Sequence, residues 1–196
     1  MASTVDPMSR ETVLPEAVPP SPAEMRTALG LFASGVTIIT GLDEGEPVGF
    51  ACQAFASVSL DPPLVMFCAD RGGRTWPRIR RSGRFTANVL GDDQADLCAR
   101  FGSRTGTKFD GLSWELSRLG TPELPGVLLR VHAEVTAVHE AGDHDVVIGL
   151  VHDLSHAGHR EQRRPLVFYR GQFGLDGPEE SPHSMLSPGL WGWADH

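Results

Sequence analysis

The chain has 196 residues, 40% of them hydrophobic, and a formal charge of −8. That length suits one domain with a proper core, and the acidic balance argues against nucleic acid, whose affinity for proteins rests on Lys and Arg neutralising phosphates. No apolar run approaches the roughly 20 residues of a membrane span and no secretory leader opens the chain, so the expectation is a soluble, cytoplasmic protein with no membrane or nucleic-acid partner.

Residues 1–21 contain Pro7, Pro15, Pro19 and Pro20 without apolar periodicity, and residues 177–196 are similarly rich in Pro, Gly and Ser. Both read as flexible tails around a single domain at 22–176, with Trp191 and Trp193 either a plain part of the second tail or a docking handle for a partner. The domain opens on a helix over 23–33: Ser21 is the N-cap, Pro22 stands at N1 and Glu24 completes a capping box. Met25, Ala28, Leu29 and Phe32 give that helix one apolar face.

Gly35 ends the helix, and Val36–Thr40 (VTIIT) is a β-branched strand paired through the DEGE turn with VGFACQAF. Pro62 and Pro63 precede the buried-type strand Leu64–Ala69. Short helices are expected near 74–82 and 93–101, with the strand RFTANVL between them. A long alternation from Leu129 to Ala137 then turns through EAGDHD into VVIGLVHDL, and PLVFY supplies a last strand. Many strands and few helices predict a mainly β fold, an antiparallel barrel with a few flanking helices.

Cys52, Cys68 and Cys98 are widely spaced, odd in number and without a C-x-x-C pair, so reduced thiols are expected. Rossmann, P-loop, nucleophile-elbow and zincin motifs are absent from the sequence. A competing reading takes His152, His156 and His159, spaced four and three apart, as a helical metal-binding module. The segment follows a strand and carries Gly158, which removes the meaning of that spacing.

Six blocks carry a further signal: LFASGVTIIT at 31–40, GFACQAFASVSLDPPLVMFC at 49–68, FTANVL at 85–90, RFGSRTGTKFDG at 100–111, AGDHDVVIGLV at 141–151 and PLVFYRGQF at 165–173. In that order they resemble the flavin reductase-like family, the short-chain reductase components of two-component flavin-dependent monooxygenases, built on an FMN-binding split barrel. The resemblance implies a six-stranded antiparallel split β-barrel against which the N-terminal and a central helix pack, and a homodimer. It implies a chain that moves a hydride from NADH or NADPH to FMN or FAD and hands free reduced flavin to a partner monooxygenase. A barrel that binds flavin without turnover, as a sensor or carrier, is the alternative.

Onto this sequence the resemblance carries flavin contacts at Thr37, Ala51, Cys52, Gln53, Ala54, Ser57, Val58, Ser59 and Asn88. Cys52 and Gln53 depart from the small hydroxyl residues that relatives often carry there. The small residues Ala51, Ala54 and Ala56 suit a flat ring approaching the backbone, and the Ser57 and Ser59 hydroxyls suit ribityl or phosphate oxygens. Ser103, Lys108 and Phe109 match the family's phosphate-side segment; Lys108 is the one lysine among 17 basic residues. Gly142, Asp143 and His144 match the motif beside the nicotinamide. His144 is the residue expected to serve the reaction, positioning the nucleotide rather than bonding covalently to it, and Tyr169 borders the same cleft. Arginines at 71, 74, 78, 80, 81 and 84 form a basic patch able to steer a dinucleotide or simply to solvate a helix face.

Overall fold

A seven-stranded antiparallel sheet organises the chain, and its two edge strands are joined by only two residues. The computed structural model describes residues 18–104, 107–156 and 163–175. The first half contains α1 (Pro22–Leu29), β1 (Ser34–Gly35), β2 (Thr37–Asp43), β3 (Glu46–Cys52), β4 (Phe55–Leu60), β5 (Pro63–Asp70), α2 (Trp76–Ser82) and β6 (Arg84–Val89). The second half contains α3 (Ala95–Gly102), β7 (Glu115–Leu116), β8 (Pro122–Glu123), β9 (Leu129–Ala141), β10 (His144–His156), β11 (Val167–Tyr169) and β12 (Gln172–Phe173).

The main sheet runs β3-β2-β6-β9-β10-β5-β4. Because Gln53 and Ala54 alone carry the chain from edge β3 to edge β4, the sheet curls until its edges meet without pairing, which is the split of a split barrel. The concave face holds one core, with Ile39, Phe67, Phe85, Val131 and Val147 buried in it. Phe67 stands edge-on to Phe85 at 4.9 Å and to Trp76 at 5.6 Å. A second core of Val36, Ile38, Leu90, Cys98, Phe101, Leu124 and Val127 lies under α3 and the segment that follows it.

Helix α2 closes the first core with Trp76 and Ile79 and is clamped to the β2–β3 hairpin by charge. Arg78 and Arg81 donate to the Asp43 carboxylate at 2.7 and 2.8 Å, and Arg78 reaches Glu46 at 2.8 Å. The Arg78 guanidinium, foremost, holds the Asp43 carboxyl below its usual range.

Three expectations change. The main sheet has seven strands instead of six, because β4 pairs with β5 although its polar, mostly exposed sequence lacks an apolar alternation. PLVFY joins β1 and β12 in a separate small sheet rather than the barrel. The capping box of α1 forms as written, with Ser21 N–H donating to Glu24 at 2.8 Å, but the helix stops at Leu29 and does not pack into the barrel. Met25 is 39%, Leu29 54% and Phe32 78% exposed, so the apolar stripe faces away from the chain's two cores. The expectations for the two tails lie largely outside the described residues, as does His159. His152 and His156 stand on β10, a strand, which removes the helical spacing a metal reading needs.

Candidate functional site

The split places the first candidate group. Cys52 is buried at the end of β3 and its thiol points at the Cys68 carbonyl, 3.5 Å away, while the Cys68 N–H donates to the Ala54 carbonyl at 3.0 Å. Burial pushes the Cys52 thiol up to about 12 and raises Cys98 further, so both remain protonated and unsuited to nucleophilic chemistry. Beside Cys52, the Gln53 Nε2 is buried with no hydrogen-bond partner. An orphaned donor of this kind costs about 1–3 kcal/mol. A bound acceptor would remove that cost.

Along edge β4, Ser57 opposes Val65 and Ser59 opposes Leu64, with the register slipping between them at Val58. Ala54, Ala56, Ser57 and Val58 are exposed, so this bulged edge presents small side chains and hydroxyls next to the orphaned amide. Those features fit a flat heterocycle with carbonyl acceptors and a hydroxylated side arm.

The second group lies where α3 ends. The Ser103 N–H closes the helix onto the Ala99 carbonyl, and Lys108 Nζ donates to the Phe101 carbonyl at 2.6 Å. Lys108 is half-buried; burial foremost, and then the Arg74 charge, pull its ammonium below the usual lysine range. Two cations are therefore held close together, an arrangement that an anion between or beside them would relieve.

The third group is the β9–β10 hairpin. Gly142 at φ +67 and Asp143 form its two-residue turn, and a glycine is needed because L side chains rarely adopt that φ. His144 Nδ1 lies 2.7 Å from the Asp143 carboxylate, which orients the imidazole, and His144 pairs across the sheet with Asp70.

One loop, residues 71–75, ties the second and third groups together. Arg71 N–H donates to the Asp143 carbonyl at 3.0 Å, and Arg74 donates to the Arg104 carbonyl. Sequence reading left Arg71 and Arg74 in an undivided basic patch; the structure puts one at each end of this bridge.

Several expected contacts face elsewhere. Asn88 is fully buried, its amide donating to the Ile38 carbonyl and Thr40 hydroxyl while its oxygen accepts from Leu124 N–H. Thr37 spends its hydroxyl on the Cys52 carbonyl at 2.9 Å. Both therefore shape the wall behind the split. Ala51 packs against the second core, and Phe109 stands edge-on to Phe101 at 5.1 Å within it. Tyr169 lies on β11 of the small sheet, with the Arg170 guanidinium 5.2 Å from its ring centre. Sequence reading passed over Asp145 and Trp76. The available signal was phase: Asp145 shares the inward alternation of Val147 and Gly149, where an unpaired carboxylate is costly.

Comparison with known proteins decides the family. The Flavin reductase like domain model matches residues 29–174. The chain belongs to the flavin reductase-like family. It is 51% identical over 152 residues to the reductase subunit HsaB of a flavin-dependent monooxygenase from Rhodococcus jostii, covering 78% of this chain and 76% of that protein. The crystal structure of nitrilotriacetate monooxygenase component B from Mycobacterium thermoresistibile superposes with a TM-score of 0.74 at 48% identity, covering 84% of this chain and 91% of that one. The NADH:FAD oxidoreductase SgcE6 of Streptomyces globisporus, in complex with NAD and FAD fragments, gives 0.72 at 27% identity over 92% of this chain and all, 100%, of that one.

Proposed function

We propose that the chain is a nicotinamide-dependent flavin reductase that takes up FMN or FAD, reduces it with NADH or NADPH, and releases it to a flavin-dependent monooxygenase. The orphaned Gln53 Nε2 beside the exposed β4 edge carries this reading, because a buried donor without a partner suits a carbonyl acceptor such as the flavin ring offers. Gln53 and the backbone of Cys52 and Ala54 would hold the ring, Ser57 and Ser59 the ribityl chain, and Ser103 and Lys108 the phosphate.

A bound flavin supplies the hydride-accepting chemistry; the protein's part is position. Hydride transfer needs the two rings stacked about 3–3.5 Å apart and no acid or base from the chain. His144, steadied by Asp143, holds the nicotinamide end by hydrogen bonding. Cys52 stays a neutral thiol and takes no part in the chemistry.

The working form is a homodimer, in which a second copy covers the apolar stripe of α1 and the exposed Val58 and Leu60 of β4. Among the described residues no helix is long and apolar enough to cross a membrane.

Steady-state assays crossing NADH and NADPH with riboflavin, FMN and FAD test the proposal. Nicotinamide oxidation is expected only when a flavin is supplied, with bleaching of its visible band under anaerobic conditions. Absence of turnover with every pair, together with retained flavin binding, would instead make the chain a non-catalytic flavin carrier.

A further inference from the structure

The basic patch divides into two kinds of arginine. Arg78 and Arg81 are spent on Asp43 at 2.7–3.0 Å. Arg71 and Arg80 also face an acid, Asp145, each at an ion-pair distance of 3.6 Å that is beyond hydrogen-bond length, and Arg71 pairs in addition with the exposed Glu140 at 3.3 Å. Asp145 is 4% exposed; its Oδ2 accepts the Trp76 indole N–H at 2.8 Å, while its Oδ1 is buried with no hydrogen-bond partner. These residues and Pro77 line a pocket of about 150 Å³.

That volume lies below the roughly 300 Å³ at which pockets for whole ligands begin, so it suits part of a larger molecule. Its chemistry is mixed in a specific way. A buried carboxylate oxygen lacks a donor, which a hydroxyl supplies; two guanidiniums stand off from their acid, which an anion would engage; Trp76 and Pro77 form an apolar wall. A nucleotide, with a sugar hydroxyl, a phosphate and an apolar ring face, satisfies all three at once. Arg71 also donates to the Gly142 carbonyl at 3.3 Å, so the pocket opens beside the hairpin turn that carries His144, and Arg74 continues the same loop toward Lys108.

We propose that the Arg71–Trp76–Arg80–Asp145 pocket binds the adenylate end of a dinucleotide, with Asp145 accepting from a ribose hydroxyl and Arg71 and Arg80 on its phosphate. The inference rests on the flavin reductase reading for the presence of a dinucleotide. Both FAD and NADH carry an adenylate, and the two sources are distinguished by the kinetics of an Arg80 variant.

Titration calorimetry with 5′-AMP as probe isolates the pocket from turnover. Wild-type protein should bind AMP, and Arg80→Ala, at a half-exposed position where folding is safe, should weaken it at least tenfold. Asp145→Asn keeps an acceptor for Trp76 and should weaken AMP more than it weakens 2′-deoxy-AMP or 3′-deoxy-AMP, whichever lacks the hydroxyl Asp145 holds. Kinetics of Arg80→Ala then separate the sources: a raised KM for FAD with FMN unchanged assigns FAD, and a raised KM for NADH with every flavin assigns the nicotinamide dinucleotide. Unaltered AMP affinity in Arg80→Ala, or no AMP binding to wild type, overturns the proposal and leaves the cluster as a tie between α2 and β10. Because AMP binding needs no turnover, failure of the reductase reading shows separately, as absent activity with intact AMP binding.

Discussion

Lys108 donates from Nζ to the Phe101 carbonyl at 2.6 Å, so the cation proposed for a flavin phosphate also closes the last turn of α3. Cations near a helix C-terminus are stabilising there, by about 0.3–1 kcal/mol at exposed positions. The two roles separate by ligand. Lys108→Ala should raise KM for FMN and FAD by about ten- to a hundredfold, the worth of a charge-assisted hydrogen bond. Riboflavin, which has no phosphate, should keep its wild-type KM, and the melting temperature should fall slightly. Equal KM changes for all three flavins would confine Lys108 to the helix end.

His144 and Asp143 make a second separable pair, since the 2.7 Å contact fixes the imidazole without burying it in either core. His144→Ala should raise KM for NADH, slow hydride transfer, or both, and leave the Kd for oxidised flavin nearly unchanged. Stopped-flow mixing of flavin-loaded enzyme with NADH reads the transfer directly. Loss of flavin affinity alongside a lower melting temperature would show that the side chain holds the turn in shape instead.

Periodicity made most of the sheet legible. The alternation from Leu129 through Ala137 and the β-branched run at Val36–Thr40 became β9 and β2, and the Ser21–Glu24 box formed as read. Strand β4 was invisible to that logic: an edge strand with one exposed face and a bulge at Val58 needs no apolar alternation, so no strand was expected at FASVSL. The site was legible as segments through family likeness. Which side chains turn outward was not, because Asn88 and Thr37 are committed to buried backbone partners on strands that only tertiary pairing defines. The same holds for the arginines at 71, 78, 80 and 81, whose partners lie tens of residues away.

His132 gives the chain a pH dependence. It is 2% exposed, with Nδ1 3.0 Å from the Thr86 hydroxyl and Nε2 3.3 Å from Ser155 Oγ. Burial holds its pKa below the ordinary value, an effect that nearby Glu123 and Asp153 oppose and Arg130 reinforces. The unfolded chain therefore binds more protons at this site, so the contribution is fully present above about pH 6.5 and is lost as pH falls toward the depressed folded value. Melting temperature between about pH 5 and 8 should fall more steeply on the acid side in wild type than in His132→Gln. Parallel curves would mean that His132 does not set the slope.

Gly149 tests how tightly the barrel interior is filled. It sits at the register shift of β10, and a Cβ there would come within 2.6 Å of Phe85 Cζ and 3.2 Å of Ala133 Cβ. The Phe85 ring cannot swing aside, because it is fully buried and packed edge-on against Phe67 at 4.9 Å. Overpacking of this kind costs about 1–3 kcal/mol. At roughly 2–4 °C per kcal/mol for a chain of this length, Gly149→Ala should melt several degrees below wild type. Shortening the ring tests the cause: Phe85→Leu alone should also destabilise, by opening space in the core, yet combined with Gly149→Ala it should cost less than the sum of the two, since the added methyl then fills room that the ring has vacated. Additive losses would show that Gly149 is required for the backbone geometry of the bulge and not for the approach of Phe85.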